Sequence, residues 1–548
     1  MPEEDDDFTR RLLAPHFDAR FYLASNPDVA KAGVDPFGHF LSNGWREGRD
    51  PNSEFSVRYY LRVNSDVQAA GVNPLFHYVA AGRQEGRKPR RPMDAERAAI
   101  EAARPVAEQA KHWGGAADTA VCLAQEGLVR RLTAALTGNA GLVVVIGHDD
   151  YELNTGGVQK LTLEERLGFE AIGCAHMHLS PAAPLPRLAP EGIERGTFRF
   201  AVRLGTERVG PVLAADVLAA VATLRRNGLP VLVIIHHLLG LPPEDVAAIA
   251  SLGSIPAVFW AHDYFVACPN YTLLRNDVRY CGAPPIGSAA CAVCVHGEER
   301  LASLPRVQAL FDALRPVLLA PSETALRLWI ETAALPHRVA AVQPLARLVL
   351  DTRPSRARSE GPLRIAHLGM RTIGKGWPVF EKLAMRFRDD PRYAFFQLGL
   401  SSPGIAPGHV QEVPVKVTRG TPDAMIEAVA ANRIDVVISW SPGPETFCYA
   451  AHEGIAGGAF LITHPGAGNV PAMIDGAGLG QGLVLPDEAA LHSLFAGTGL
   501  NDAIASCPRR RGVLIPEGGT AAWLLRAETG SLFRAQLRDH SRCHLVET

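Results

Sequence analysis

From about residue 140 onward, short apolar runs alternate with longer stretches of helical spacing. Leu142-Val-Val-Val-Ile-Gly147, Arg199-Phe-Ala-Val-Arg203, Val231-Leu-Val-Ile-Ile235 and Ala257-Val-Phe-Trp260 are predicted strands with helices between them. Asp351 to Pro362 is polar and has no apolar period, so it reads as a linker. The cycle then restarts with Leu363-Arg-Ile-Ala-His-Leu368, Ala394-Phe-Phe-Gln-Leu398, Asp435-Val-Val-Ile438 and Ala459-Phe-Leu-Ile-Thr463. Strands alternating with helices predict parallel sheets covered on both faces, hence an α/β chain with two doubly wound domains. Ligands of such domains lie in the cleft at the strand carboxyl ends.

The first 89 residues follow another rule. Phe17 to Pro51 and Phe55 to Pro89 align with a period of 38, matching Tyr22/Tyr60, Asn26/Asn64, Asp28/Asp66, Gly33/Gly71, His39/His77, Gly44/Gly82 and Arg49/Arg87 among others. This is a duplicated all-α unit, read as a helical hairpin with a Gly-Val-x-Pro turn. His39 and His77 read as residues that hold each hairpin together. Residues 90–139 are rich in Ala, Glu and Arg and predict a linker followed by a helix leading into the first α/β domain. The expected organisation is repeats at 1–89, linker and lead-in helix at 90–139, first domain at 140–350, linker at 351–362, second domain at 363–515, and a C-terminal helix and tail at 516–548.

Composition narrows the function classes. At 548 residues the chain exceeds one core, and 47% hydrophobic with 20% charged residues is the balance of a soluble globular protein. Lys and Arg number 55 against 57 Asp and Glu, which gives no electrostatic reason to expect nucleic acid. The apolar runs are too short to span a bilayer, and the acidic start Met1-Pro-Glu-Glu-Asp-Asp-Asp is unlike a secretory signal. The expected location is cytoplasmic, with peripheral contact at the inner face of a membrane left open.

The chemistry concentrates in the second domain. Glu445-Thr-Phe-Cys-Tyr-Ala-Ala-His-Glu453 follows the strand at Asp435-Val-Val-Ile438 after the turn Ser441-Pro-Gly-Pro444. Read as one helix beginning near Thr446, it would place Glu445 at the mouth, where free N–H groups attract phosphate, and Glu453 two turns further in. Upstream, Gly369-Met-Arg371-Thr-Ile-Gly-Lys375-Gly376 supplies cations. A carboxylate pair around a phosphate-attracting helix end reads as a sugar-nucleotide site. Cys448, between the glutamates, reads as packing.

A Gly-x-Arg-x3-Lys-Gly loop followed about seventy residues later by strand, turn and Glu-x7-Glu resembles retaining glycosyltransferases of the GT-B fold, in particular the family 4 type. That resemblance implies two Rossmann-like domains. It also implies that Arg371 and Lys375 hold the donor diphosphate together with the helix end at Thr446, that Glu453 binds the ribose, and that Glu445 meets the transferred sugar. The activity implied is transfer from a nucleotide-diphosphate sugar to a carbohydrate or glycoconjugate acceptor with retention, without a catalytic metal, in bacterial surface polysaccharide assembly. The N-terminal units resemble modules attached to some bacterial glycosyltransferases, and a glycan, a partner enzyme or a second subunit are all open as their ligand. A sugar-nucleotide epimerase and a non-catalytic glycan-binding scaffold are the alternative readings.

The first domain adds three features. Asn154-Thr-Gly156-Gly157-Val-Gln159 resembles the Gly-Gly loop of such transferases, which lets backbone N–H groups approach an anion. Trp260-Ala-His262-Asp263-Tyr264 ends a strand; His262 is the candidate contact to the donor sugar or its phosphate, and Asp263 the candidate to orient it or bind acceptor. His236-His237 ends another strand and reads as structure. In the loop 264–296, Cys268, Cys281, Cys291 and Cys294 end in Cys-x2-Cys, which suits a structural zinc as well as it suits free buried thiols.

Overall fold

The computed structural model describes residues 3–52, 54–90, 94–111, 113, 117–352, 361–400, 408–476, 480–526 and 535. The first sheet contains Gly141–Ile146 (β1), Cys174–Pro181 (β2), Arg199–Leu204 (β3), Glu207–Leu213 (β4), Val231–Ile235 (β5), Val258–Trp260 (β6), Val317–Ala320 (β7) and Val339–Val342 (β8). Their order is β8-β7-β6-β5-β1-β2-β3-β4. All neighbours are parallel except β2 with β3 and β3 with β4. The sheet is therefore mixed where the sequence predicted a parallel one, because a tight turn at Gly205 returns β3 directly into β4.

The second sheet contains Leu363–Leu368 (β9), Tyr393–Gly399 (β10), Val410–Pro414 (β11), Val436–Ile438 (β12), Phe460–Thr463 (β13) and Gly482–Val484 (β14). Its order is β11-β10-β9-β12-β13-β14, parallel throughout. Both sheets are doubly wound and buried on two faces, as their separate core clusters record. The fold is α/β: two Rossmann-like domains preceded by a small all-α region. Strand order reverses between β1 and β5 in one sheet and between β9 and β12 in the other. Those reversals open crevices at the strand carboxyl ends.

Ala346–Leu350 and Gly512–Pro516 pair antiparallel outside both sheets. The helix Gly519–Arg526 then packs Ala521, Trp523 and Leu524 into the first domain's core cluster. Residues 527–534 and 536–548 of the predicted tail, and 353–360 of the predicted linker, lie outside the described residues.

Each N-terminal unit is more broken than a hairpin: Ala19–Ser25, Pro27–Ala32 and Pro36–His39 are three short helices in the first, mirrored by Val57–Val63, Ser65–Ala70 and Pro74–His77 in the second. Tyr22 bonds His39 Nδ1 at 2.9 Å, and Tyr60 bonds His77 Nδ1 at 2.9 Å. Both histidines thus brace their units. A Cβ at Gly44 or Gly82 would run into the same tyrosine hydroxyls. Asp94–Ala102, Val106–Lys111 and Gln125–Ala135 are helices across the predicted linker region. Among the described residues no helix is long and apolar enough to cross a membrane.

Candidate functional site

The loops that leave β9 and β12 meet at the second crevice. Gly376 has φ +78°, and a Cβ there would strike the Trp440 carbonyl, so only glycine lets the β9 loop lie against the β12 loop. Ser441 Oγ donates to the Gly374 carbonyl at 2.8 Å and completes the contact. Lys375 is thereby aimed across the seam, and its Nζ donates to Glu445 Oε1 at 2.8 Å. That carboxylate holds the ammonium above its ordinary pKa against the opposing effect of desolvation. Arg371 takes a different course: it pairs with Glu412 Oε1 of β11 at 2.9 Å, with its side chain 6% exposed. The structure therefore joins Lys375 to Glu445 and places Arg371 against β11 at the edge of the sheet.

The two glutamates do not share a helix. The helix is Tyr449–Ala456, and Cys448 caps it at φ +66°, a left-handed turn that breaks the run after Phe447. Glu445 sits in the preceding loop, held by Asn469 N–H donating to its carbonyl at 2.8 Å. Thr446, expected at the helix end, instead donates from Oγ1 to the His262 carbonyl at 2.6 Å, while its own carbonyl accepts from Ser322 Oγ at 2.7 Å. It ties the second domain to the first. The free helical N–H groups begin at Cys448 and Tyr449, still beside Lys375 and Glu445. Burial pushes the Cys448 thiol up to about 12, as expected of a packing residue.

Glu453 lies within the helix, nearly buried, and burial pushes its carboxyl up to about 7. Facing it from the first domain is the helix Gly157–Ala171, which begins at the predicted Gly-Gly loop. Gly156 is simply extended; Gly157 is the close approach, where a Cβ would touch the Tyr449 ring at 3.4 Å. Lys160 lies over that ring at 4.8 Å and opposes the rise at Glu453 and at Glu164, whose carboxyl burial also pushes up to about 7.

At the end of β6, His262 stacks on Trp260 with ring centroids 5.2 Å apart and bonds His236 through Nε2 at 2.9 Å. Burial and the surrounding histidines lower its pKa well below the ordinary value. Asp263, expected to orient His262, accepts from His237 Nε2 at 2.9 Å instead, because Leu239 N–H occupies His237 Nδ1 and leaves Nε2 as the donor. Burial opposes that carboxylate and the His237 pairing outweighs it, so its pKa is lowered. His236 and His237 lie just beyond β5 and both engage the β6 end.

The four cysteines of the 264–296 loop surround one small cavity with Arg300 and His296. Arg300 donates to Cys291 Sγ at 3.0 Å and to the Ala267 and Pro284 carbonyls. Among the described residues no group of three or more His, Cys, Asp or Glu is gathered closely enough to hold a metal ion.

No protein-family model and no curated protein matches the chain. Solved structures do. HepE of Anabaena, in complex with UDP, is 11% identical over 73% of this chain and 100% of its own, with a TM-score of 0.40. A UDP-forming α,α-trehalose-phosphate synthase from Burkholderia vietnamiensis is 13% identical over 73% of this chain and 94% of its own, at 0.36. A glycosyltransferase from Rickettsia africae is 11% identical over 73% and 98%, at 0.40.

Proposed function

We propose that the protein is a glycosyltransferase that moves a sugar from a nucleoside-diphosphate sugar to an acceptor hydroxyl. The observation that carries this reading is the Lys375–Glu445 pair at 2.8 Å beside the free end of the helix Tyr449–Ala456, tied by Thr446 to the strand end that bears His262. A cation and backbone N–H groups suit a diphosphate, and a carboxylate at each side suits sugar and ribose hydroxyls. In this reading Lys375 and the helix end take the diphosphate, with Arg371 adding positive charge from behind. Glu453 binds the ribose, Glu445 orients the sugar, and His262 meets a sugar hydroxyl. Gly157 keeps the first domain close.

The acceptor oxygen forms a bond to the anomeric carbon as the bond from that carbon to the phosphate oxygen breaks. The acceptor proton passes to the departing diphosphate on the same face, so configuration is retained, in the family 4 manner. Surface polysaccharide assembly is the proposed setting, with the N-terminal units recruiting a glycan or partner. Separately, the zinc reading for Cys268, Cys281, Cys291 and Cys294 rests on their lining one cavity, and a bound ion would have to draw them closer together than they stand. It requires one equivalent of zinc per chain by elemental analysis; metal-free folded protein would leave the fastening of the loop to hydrogen bonds such as those of Arg300, Asn270 and Asn276.

The test is release of nucleoside diphosphate from a panel of nucleotide sugars in the presence of mixed oligosaccharide acceptors. Release from one donor, abolished in Glu445→Gln, together with an unchanged anomeric configuration in the product, is the expected result. Folded protein that releases nothing from any donor supports the scaffold reading, and a donor altered without transfer supports the epimerase.

A further inference from the structure

Behind His262 runs a buried chain of side chains whose far end is fixed by groups that only donate. The Thr520 backbone N–H gives its hydrogen to Glu165 Oε1 at 2.7 Å. Trp260 Nε1–H donates to Thr520 Oγ1 at 2.8 Å, so the threonine keeps its own hydroxyl hydrogen free, and the same Glu165 oxygen receives it. Oε1 is then fully used, and Oε2 meets His236 Nε2 at 2.8 Å. Both side chains are completely shielded from solvent, so no water changes these directions. A carboxylate only accepts; His236 therefore carries its hydrogen on Nε2. A neutral ring then offers Nδ1 as an acceptor, and its partner there is His262 Nε2 at 2.9 Å. His262 must donate from Nε2. Its other nitrogen, Nδ1, has no hydrogen-bond partner among the described residues and is not sealed off as a buried orphan.

We propose that Glu165 is a positioning residue that, acting through His236, holds His262 as the Nε2–H tautomer, so that the nitrogen left for a ligand accepts a hydrogen bond from a substrate hydroxyl. The identity of that substrate rests on the glycosyltransferase reading; the tautomer does not. The near-parallel Trp260 ring, tilted 2° from His262, fixes the plane in which the lone pair points. A lone pair cannot donate to an ionised phosphate, which carries no hydrogen of its own to offer in return. His262 is thus matched to a hydroxyl of the donor sugar or of the incoming acceptor. Thr520 makes the helix Gly519–Arg526 part of this arrangement, because its backbone is what orders Glu165.

Ring-nitrogen NMR of the full chain labelled with 15N-histidine, with His262→Gln to assign the signal, measures the tautomer directly. The expected spectrum has a protonated Nε2 and an unprotonated Nδ1 for His262. In Glu165→Gln the amide oxygen stays on the Thr520 donors and the amide N–H faces His236, which reverses both rings and moves the His262 proton to Nδ1. The same variant is expected to lose about 10- to 100-fold in kcat/KM for the nucleotide sugar, with affinity for the nucleoside diphosphate alone unchanged. Should that variant not fold, His236→Phe removes the acceptor that faces His262 Nε2 and is expected to mix the tautomers. A proton found on His262 Nδ1 in the unmodified protein, or an unaltered tautomer in folded Glu165→Gln, overturns the proposal. The expected spectra without any sugar transfer contradict the glycosyltransferase reading and leave the tautomer assignment standing.

Discussion

At the residue scale, Glu453 carries a sharp pH consequence. Its folded-state pKa is raised from 4.5 to about 7, chiefly by burial. Between those values the folded chain holds a proton that the unfolded chain has released, so stability falls as pH rises, by about 3 kcal/mol once both forms are ionised. Glu453→Gln is expected to melt roughly 5 °C or more above the parent at pH 8 and to converge with it near pH 5, read by scanning calorimetry. The same variant is expected to bind donor more weakly, since the ribose hydroxyls lose an ionised acceptor. For the proposed transfer, Lys375→Ala is by contrast expected to lower kcat by about 10²- to 10³-fold, because that reaction would build charge on the leaving diphosphate. Much of this site was legible: Lys375, Glu445, Glu453 and His262 announce themselves as spaced polar residues at strand ends. Glu165 was not, being one of two adjacent glutamates in a helix. Its one signal is position, since Leu161, Glu165 and Phe169 share an i, i+4, i+8 face and both neighbours are fully buried.

At the scale of elements, the repeat units show why a matched glycine need not mark a left-handed turn. Gly44 is helical, and what a side chain there would meet is the Tyr22 hydroxyl. Gly44→Ala is expected to cost about 1–3 kcal/mol by overpacking. In a Tyr22→Phe background the obstacle is gone, so the alanine is expected to cost clearly less; a double-mutant cycle by chemical denaturation reads the coupling. Simple additivity would refute the contact. The strands that sequence patterning missed have physical reasons. Cys174–Pro181 looks polar because His176 and His178 occupy central, fully shielded sheet positions. Glu207–Leu213 begins exposed at a sheet edge, and Gly482–Val484 is only three residues long. The helix Tyr449–Ala456 was drawn three residues too early because nothing in the composition of Thr446 to Cys448 reveals the positive φ of Cys448.

At the scale of the whole molecule, the two doubly wound halves are joined by few but specific contacts. Thr446 binds both His262 and Ser322, Arg419 pairs with Glu152 at 2.7 Å, and the C-terminal helix locks Trp523 into the first domain. The exposed Arg419–Glu152 pair is expected to contribute under about 1 kcal/mol, whereas Trp523→Ala is expected to cost about 3–5 kcal/mol and to lower the melting of the first domain. The N-terminal units reach the second domain through Glu54, which accepts from Arg388 and His409. The closure of these parts depends on contacts more than 180 residues apart, such as Thr446 with His262, which no local pattern encodes. The most direct test of the central claim is calorimetric titration of the full chain with a panel of nucleotide sugars and the matching nucleoside diphosphates. The account expects selective binding of one donor, weakened at least tenfold in both Lys375→Ala and Glu453→Gln. Equal binding by the parent and both variants, or no binding of any nucleotide by folded protein, would contradict it.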